Sequence, residues 1–346
     1  MMQHATGAAI ISKTRALYGK RLKTEDWEHL LNCSTIKDVT AYLKSKTAYA
    51  AALSDLLLEN VHRQELEILL HRRLEEDTSK LSHYDFSGGW NITHYLISML
   101  EIDAVLHAVI RVISPLGTDF RVQNKYLQNV SDIDIAKLDG AEGYADILTA
   151  VSHTPYHEIL SKFSFEEKNG NDYGKLENAL NVFLYKHVYD FLAADKARSE
   201  RSGLKKFFDH YVDITNYINI MRVKKSFGVS PQEIMDMLLP YGSVPKKKLA
   251  AMAEAETAEE AAEIMMTTRS GKWIESVQGE NSLDELTAKL VYETCRRAIL
   301  YGFESGLVMT AYVFLLQSEI SALVHLIEGI RYGVPRAEVK KLIVMF

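Results

Sequence analysis

A pattern that recurs three times, roughly every 105–115 residues, constrains the fold of this chain more than any single motif. Its centre is a helix expected to open with an acid-isoleucine pair. The copies are Glu101-Ile102…Val105-Leu106…Val109, Asp213-Ile214…Tyr217-Ile218…Met221 and Glu319-Ile320…Leu323-Val324…Ile327. Apolar residues fall at the same four offsets from the acid in all three, the spacing of one helix face. A glycine closes each copy: Gly117, Gly228 and Gly333. Periodicity on this scale predicts one architecture built from similar helical units.

A second mark precedes each acid helix. Thr47-x-Tyr49-x3-Leu53 matches Thr154-x-Tyr156-x3-Leu160, with a looser counterpart around Gly271, Trp273 and Val277. Short helical stretches lie ahead of each mark, over Trp27 to Leu43, Tyr144 to Val151 and Leu249 to Met266. The expected unit is therefore short helices, aromatic turn, long helix, acid helix. This order predicts three lobes, at 1–118, 119–229 and 230–346.

The prolines agree with long helices. Residues 1–114 contain none, and a proline inside a helix costs about 3 kcal/mol. Ser230-Pro231-Gln232-Glu233 has the residues of a helix start, as does Thr24-Glu25-Asp26-Trp27. Asp139-Gly140 is expected at a helix boundary, Pro240 in an inter-helix turn, and Ser87-Gly88-Gly89 in a hinge. Sustained period-two alternation is missing, so an all-α fold is expected.

Several function classes lack their residues. No G-x-x-x-x-G-K-[ST] loop exists to cradle phosphate, and Gly19-Lys20 lacks the preceding glycine. His153 and His157 are separated by Pro155, which opposes a shared helix face for a metal. Asp26-Trp27-Glu28-His29 has no second copy to complete a di-iron bundle. No G-x-S-x-G occurs, and Cys33 and Cys295 have no catalytic flanks. Catalytic, cofactor and metal sites are therefore all expected to be absent. Net charge is −6 and Lys246-Lys247-Lys248 is the sole basic triplet, so no nucleic-acid partner is expected. The N-terminus lacks a signal-peptide pattern. The most apolar run, Gly306 to Leu316, is short of the ~20 residues a bilayer needs, which predicts a buried helix and no transmembrane segment.

The three repeat acids allow two placements. At a helix start they would stabilise its dipole. Apolar runs ahead of Glu101 and Glu319 instead suit acids in mid-helix, partly buried and requiring a cation nearby.

Three segments together resemble a known family. They are Asp213-Ile-Thr-Asn216-Tyr-Ile-Asn-Ile-Met-Arg222-Val-Lys224, the C-terminal Glu319-Ile320…Gly329…Gly333, and the start Arg15-Ala-Leu-Tyr-Gly-Lys-Arg21-Leu with Thr47-x-Tyr49. In this order they resemble the C subunit of V-type/A-type rotary ATPases, a family that includes the d subunit of vacuolar ATPases. The resemblance implies three similar lobes in a pseudo-three-fold funnel. It implies a non-catalytic rotor part on the cytoplasmic face of the membrane, whose partners are the membrane proteolipid ring and the central shaft subunits. Asp213, Asn216, Arg222 and Glu319 are the interface candidates. The alternative is a free-standing helical-repeat adaptor that scaffolds other proteins.

Overall fold

The computed structural model describes residues 2–58, 61, 63–83, 91–114, 127–165, 171–194, 202–224, 229–275, 283–341 and 343. Gly117, Gly228, Pro115, Val277, the Ser87-Gly88-Gly89 hinge and the expected junction at residue 118 lie outside them. The fold is all-α: the structure is 77% helix, with no strand among the described residues. The chain divides into two compact units, Met1–His157 with Tyr292–Phe346, and Glu158–Val291.

The first unit opens with α1 (Met2–Tyr18), α2 (Thr24–Asn32), α3 (Ile36–Lys46), α4 (Arg63–Ser82) and α5 (Ile92–Ile113). Short helices follow: α6 (Leu127–Val130), α7 (Ile135–Gly140), α8 (Tyr144–Ala150) and α9 (Tyr156–Leu160), the last crossing the unit boundary. The second unit holds α10 (Asn171–Ala193), α11 (Ser202–Lys224), α12 (Pro231–Asp236), α13 (Lys246–Glu254), α14 (Ala258–Met266) and α15 (Arg269–Glu275). After α16 (Leu283–Tyr301), which also crosses the boundary, α17 (Ser305–Tyr332) and α18 (Arg336–Lys341) complete the first unit.

Local chemistry explains the breaks. Two stretches expected as single helices are each a pair, because a threonine caps the second member. Thr35 Oγ1 accepts from Asp38 N while the Asp38 carboxylate accepts from Thr35 N, both at 3.1 Å. Thr257 likewise accepts from Glu260 N at 3.1 Å, separating α13 from α14. Ser230 caps α12 with Pro231 in its first turn and Glu233 closing the box, as expected. Thr24 is the first residue of α2 rather than its cap; that place falls to Lys23, whose N–H donates to Asp26 at 2.7 Å. α7 ends at Gly140.

The first unit is built around α17. It packs against α1, α3, α4, α5 and α18. By length and composition α17 is the described helix able to cross a membrane, with mean hydropathy 1.7, but 72% of that window is buried within the fold. Its residues from Val308 to Leu316 are buried and form a core, with Gly306 and Leu307 half-buried at its edge. The helix stops at Gly333, where φ is +65°, a conformation glycine adopts without a Cβ clash. Four residues earlier, Gly329 lets α18 close on α17: a Cβ there would lie 2.5 Å from Val339 Cγ2. In the second unit α11 lies on α14 and α15, around a core of Ile220, Met252, Ala253, Ala261 and Met265.

Gly329→Ala should therefore destabilise the protein by about 1–3 kcal/mol through overpacking. Adding Val339→Ala should recover part of that loss. Thermal or urea unfolding of the single and double variants checks both.

Candidate functional site

All three repeat acids lie in mid-helix and are buried: Glu101 in α5, Asp213 in α11 and Glu319 in α17. A residue in mid-helix has its own backbone donors committed to the helix. Its carboxylate must find partners elsewhere, since a buried charge without them is costly. Each acid finds donors on neighbouring segments.

Glu101 accepts from Ser131 Oγ at 2.5 Å and from Tyr156 OH at 2.7 Å. Asp213 sits in a nest at the turn after α12. Ser243 N and Val244 N donate to Oδ1 at 2.9 and 3.0 Å, and Ser243 Oγ and Ser270 Oγ donate to Oδ2 at 2.5 and 2.6 Å. Gly242 permits this approach. Its φ is +103°, and an added Cβ would collide with Asp213 Oδ1. Glu319 accepts from Leu22 N at 2.8 Å, Tyr49 OH at 2.9 Å and Arg73 Nη1 at 2.9 Å.

Glu319 is thus the acid with a cationic partner; Glu101 and Asp213 are held by hydroxyl and backbone donors. Arg73 also lies over the Tyr49 ring, 4.4 Å from its centroid. Beside it, Tyr312 OH donates to Asp77 Oδ2 at 2.6 Å, and Asp77 takes a second bond from Lys80 at 2.9 Å. Burial, then the neighbouring carboxylates, push the Tyr49, Tyr156 and Tyr312 phenols up, which keeps them protonated donors. Burial also raises the Glu319 carboxyl, against the opposing pull of Arg73, the Leu22 N–H and Tyr49.

The D-x-x-N spacing has a physical explanation. Asn216 stands one helical turn after Asp213 and grips the same turn of chain. Its Nδ2 donates to Leu239 O and its Oδ1 accepts from Leu239 N, both at 2.9 Å. Together the two residues hold the segment from Leu239 to Val244. Lys224, at the end of α11, donates to Ala253 O at 2.6 Å and to Ala255 O, capping the end of α13. Arg111 does the same from α5 to the end of α7, through Asp139 O and Leu138 O at 2.8 Å.

Of the four interface candidates, Asp213, Asn216 and Glu319 are buried and bonded internally, so they act on the shape of their own unit. Arg222 is exposed on the last turn of α11. His107 and His325, at matching offsets, are also exposed. Sequence reasoning picked out the acids and the two tyrosines without pairing them, and it missed Ser131, Ser243, Ser270 and Arg73. One signal was available: Glu101 to Ser131 and Asp213 to Ser243 are each 30 residues.

Asp213, Ser270 and His210 share one cluster, with His210 Nδ1 3.2 Å from Ser270 Oγ. Its geometry is unlike a nucleophilic triad, in which the histidine lies between serine and acid. Here the Ser270 hydroxyl donates its hydrogen bond to Asp213 directly and is fully buried. No group of three metal-ligating side chains occurs among the described residues.

The profile of the ATP synthase (C/AC39) subunit family matches residues 10–342. The chain belongs to that family. Three relatives are similar along most of their length. The C subunit of the A-type ATP synthase of Archaeoglobus fulgidus is 24% identical over 99% of this chain and 97% of its own. The protein of that name from Methanosarcina mazei is 25% identical over 73% of this chain and 69% of its own. That from Methanosarcina barkeri is 22% identical over 87% and 79%.

Removal of these bonds should be visible in stability. Glu319→Ala removes the nearer ion-pair partner of buried Arg73, leaving Asp77 at 3.8 Å, an expected loss of about 3–5 kcal/mol. Asn216→Ala leaves the Leu239 N–H and C=O unmet, an expected loss of about 1–3 kcal/mol. Arg222→Ala, at an exposed position, should change stability by less than about 0.5 kcal/mol. Denaturant melts of the three variants check this ranking.

Proposed function

We propose that the chain is a non-catalytic central-stalk rotor subunit of a V/A-type ATPase. In this role it couples the shaft of the ATP-driven head to the ion-carrying proteolipid ring, from the cytoplasmic face of the membrane, for ion transport or ATP synthesis. The carrying observation is the family match along nearly the whole chain, together with a relative named as the C subunit of an A-type ATP synthase, matched over 97% of its length.

The structure supports a mechanical part. A body that passes torque must not deform as it is loaded. Long helices packed on one another, with buried carboxylates locking the short helices to them, provide rigid segments. Buried polar groups with every bond made allow one arrangement of their neighbours and penalise others. The chain needs no cofactor for this role. Three similar lobes in a pseudo-three-fold funnel would place equivalent surfaces around one axis, a geometry suited to a rotor.

Among the four interface candidates, Arg222 is the exposed one, and on this reading it makes the direct contact with a partner. Asp213, Asn216 and Glu319 would set the shape that is recognised. Charged groups at the rim of an interface govern association more than folding.

Co-purification tests the role. The tagged chain should carry with it the proteolipid ring and the coiled-coil shaft protein of the same cell. Recovery of unrelated proteins with neither of these would replace the rotor role with that of a helical adaptor. Arg222→Glu should keep the wild-type melting temperature and weaken the association with shaft or ring at least fivefold. The isolated chain should show no Mg-ATP binding at micromolar concentration by calorimetry.

A further inference from the structure

We infer that the three sequence repeats fold as cyclically permuted units, in which each acid helix is locked by the turns that follow it in the chain, and the last acid helix is locked by the beginning of the chain. The sequence order sets each aromatic mark ahead of its acid helix: Tyr49 before Glu101, and Tyr156 before Asp213. The hydrogen bonds run otherwise. Tyr156 bonds Glu101 behind it, Ser270 bonds Asp213 behind it, and Tyr49 bonds Glu319 at the far end of the chain.

The register of the donors repeats closely. In each unit the carboxylate takes a first donor from the turn just before a pair of short helices, and a second from the segment just after that pair, which is the start of α9 or α15 in two units and a turn in the third. The first donors are Ser131, Ser243 and the Leu22 N–H, and the second are Tyr156, Ser270 and Tyr49. First to second donor is 25, 27 and 27 residues respectively. The enclosed pairs are α7–α8, α13–α14 and α2–α3.

A second, independent set of bonds has the same order. A basic residue after each acid caps the first short helix of the following pair. Arg111 caps α7 and Lys224 caps α13. Arg336 reaches the last residue of α2, donating to Asn32 Oδ1 at 2.8 Å and to Asn32 O at 3.3 Å. The units are therefore α5 to α9, α11 to α15, and α17–α18 with α1–α3.

Two of these units are continuous in the chain and one is not. The discontinuous one is joined by bonds spanning 297 and 270 residues, and it is the one whose acid holds a cation, Arg73 of α4. A local unit closes over a short loop, whereas this one must close over nearly the whole chain. The charged joint adds α4, the helix that follows residues 2–58, to the same carboxylate. Residues 2–58 are connected through the chain to α4 alone; on their other side Glu319 holds the Leu22 and Tyr49 stations, while Arg15 and Arg336 tie α1 and α2 to the C-terminal segments. Releasing Glu319 should loosen that segment while α5 to α9 and α11 to α15 stay closed. Nothing in this permutation depends on the rotary role.

Hydrogen exchange read by mass spectrometry on the full chain tests it. Glu319→Gln should raise amide exchange at least fivefold in residues 24–53 and leave 127–160 and 239–275 unchanged. Glu101→Gln should raise it in 127–160 alone, and Asp213→Asn in 239–275 alone. Because a change at Glu319 also removes the nearer ion-pair partner of Arg73, the single-hydroxyl variants Tyr49→Phe and Tyr156→Phe are run beside it. These should loosen α17 and α5 respectively. A rise in 24–53 on Glu101→Gln, or loosening of α5 rather than α17 by Tyr49→Phe, would restore the sequence-order unit and overturn the inference. An equal rise in every segment, or none anywhere, would overturn it as well.

Discussion

A carboxylate buried in the middle of a helix is the constraint on which this structure turns. It cannot use the donors of its own helix, and it cannot reach water. Whatever folds against that helix must therefore deliver hydrogen-bond donors to one point. Three times in this chain that requirement fixes where a pair of short helices lies on a long one. Apolar packing alone would hold the same surfaces together with less demand on register, because hydrophobic contact is non-directional. The carboxylate adds direction.

The three acids meet the requirement by different chemistry. Glu101 uses two side-chain hydroxyls, Ser131 and Tyr156. Asp213 uses a backbone nest with two serines, and Gly242 makes room for it. Glu319 uses a backbone N–H, a tyrosine and an arginine. A shorter aspartate brings its helix closer to the turn, which explains why the glycine stands at that station. The arginine stands where the two parts of the unit come from opposite ends of the chain. One geometric demand thus has three solutions, fitted to chain connectivity.

Much of this was legible in the sequence. The repeat of acid, isoleucine and apolar offsets located the three central helices, and Gly333 marked the end of α17. The tyrosines at 49 and 156 were visible as marks, yet their partners were not. Spacing along the chain associates Tyr49 with Glu101, 52 residues on, and nothing in a linear pattern points from Tyr49 to Glu319. Arg73 was illegible for the same reason: it sits in a helix rich in charges, and only packing shows which of them is buried. The split of α2 from α3 was readable in Thr35-x-x-Asp38, and that of α13 from α14 in Thr257-x-x-Glu260. Both are capping patterns overshadowed by the apolar run around them. Whether the acids stood at helix starts or in mid-helix depended on where the helices began, which the apolar runs ahead of Glu101 and Glu319 left open.

Closure of the chain on itself brings Leu22, Tyr49 and Arg73 to one carboxylate, Glu319, and the joint with Arg73 is its charged part. A double-mutant cycle with Arg73→Met, Glu319→Gln and the combined variant, measured by urea unfolding, addresses it most directly. Residues bonded in one buried network couple by about 0.5–3 kcal/mol, whereas independent sites add to within about 0.3–0.5 kcal/mol. The structure predicts a coupling of about 2 kcal/mol, within that range, with the double variant less damaged than the two single losses combined. Additive losses would mean that the two side chains do not meet in the folded protein, and would contradict the closure of the chain through Glu319.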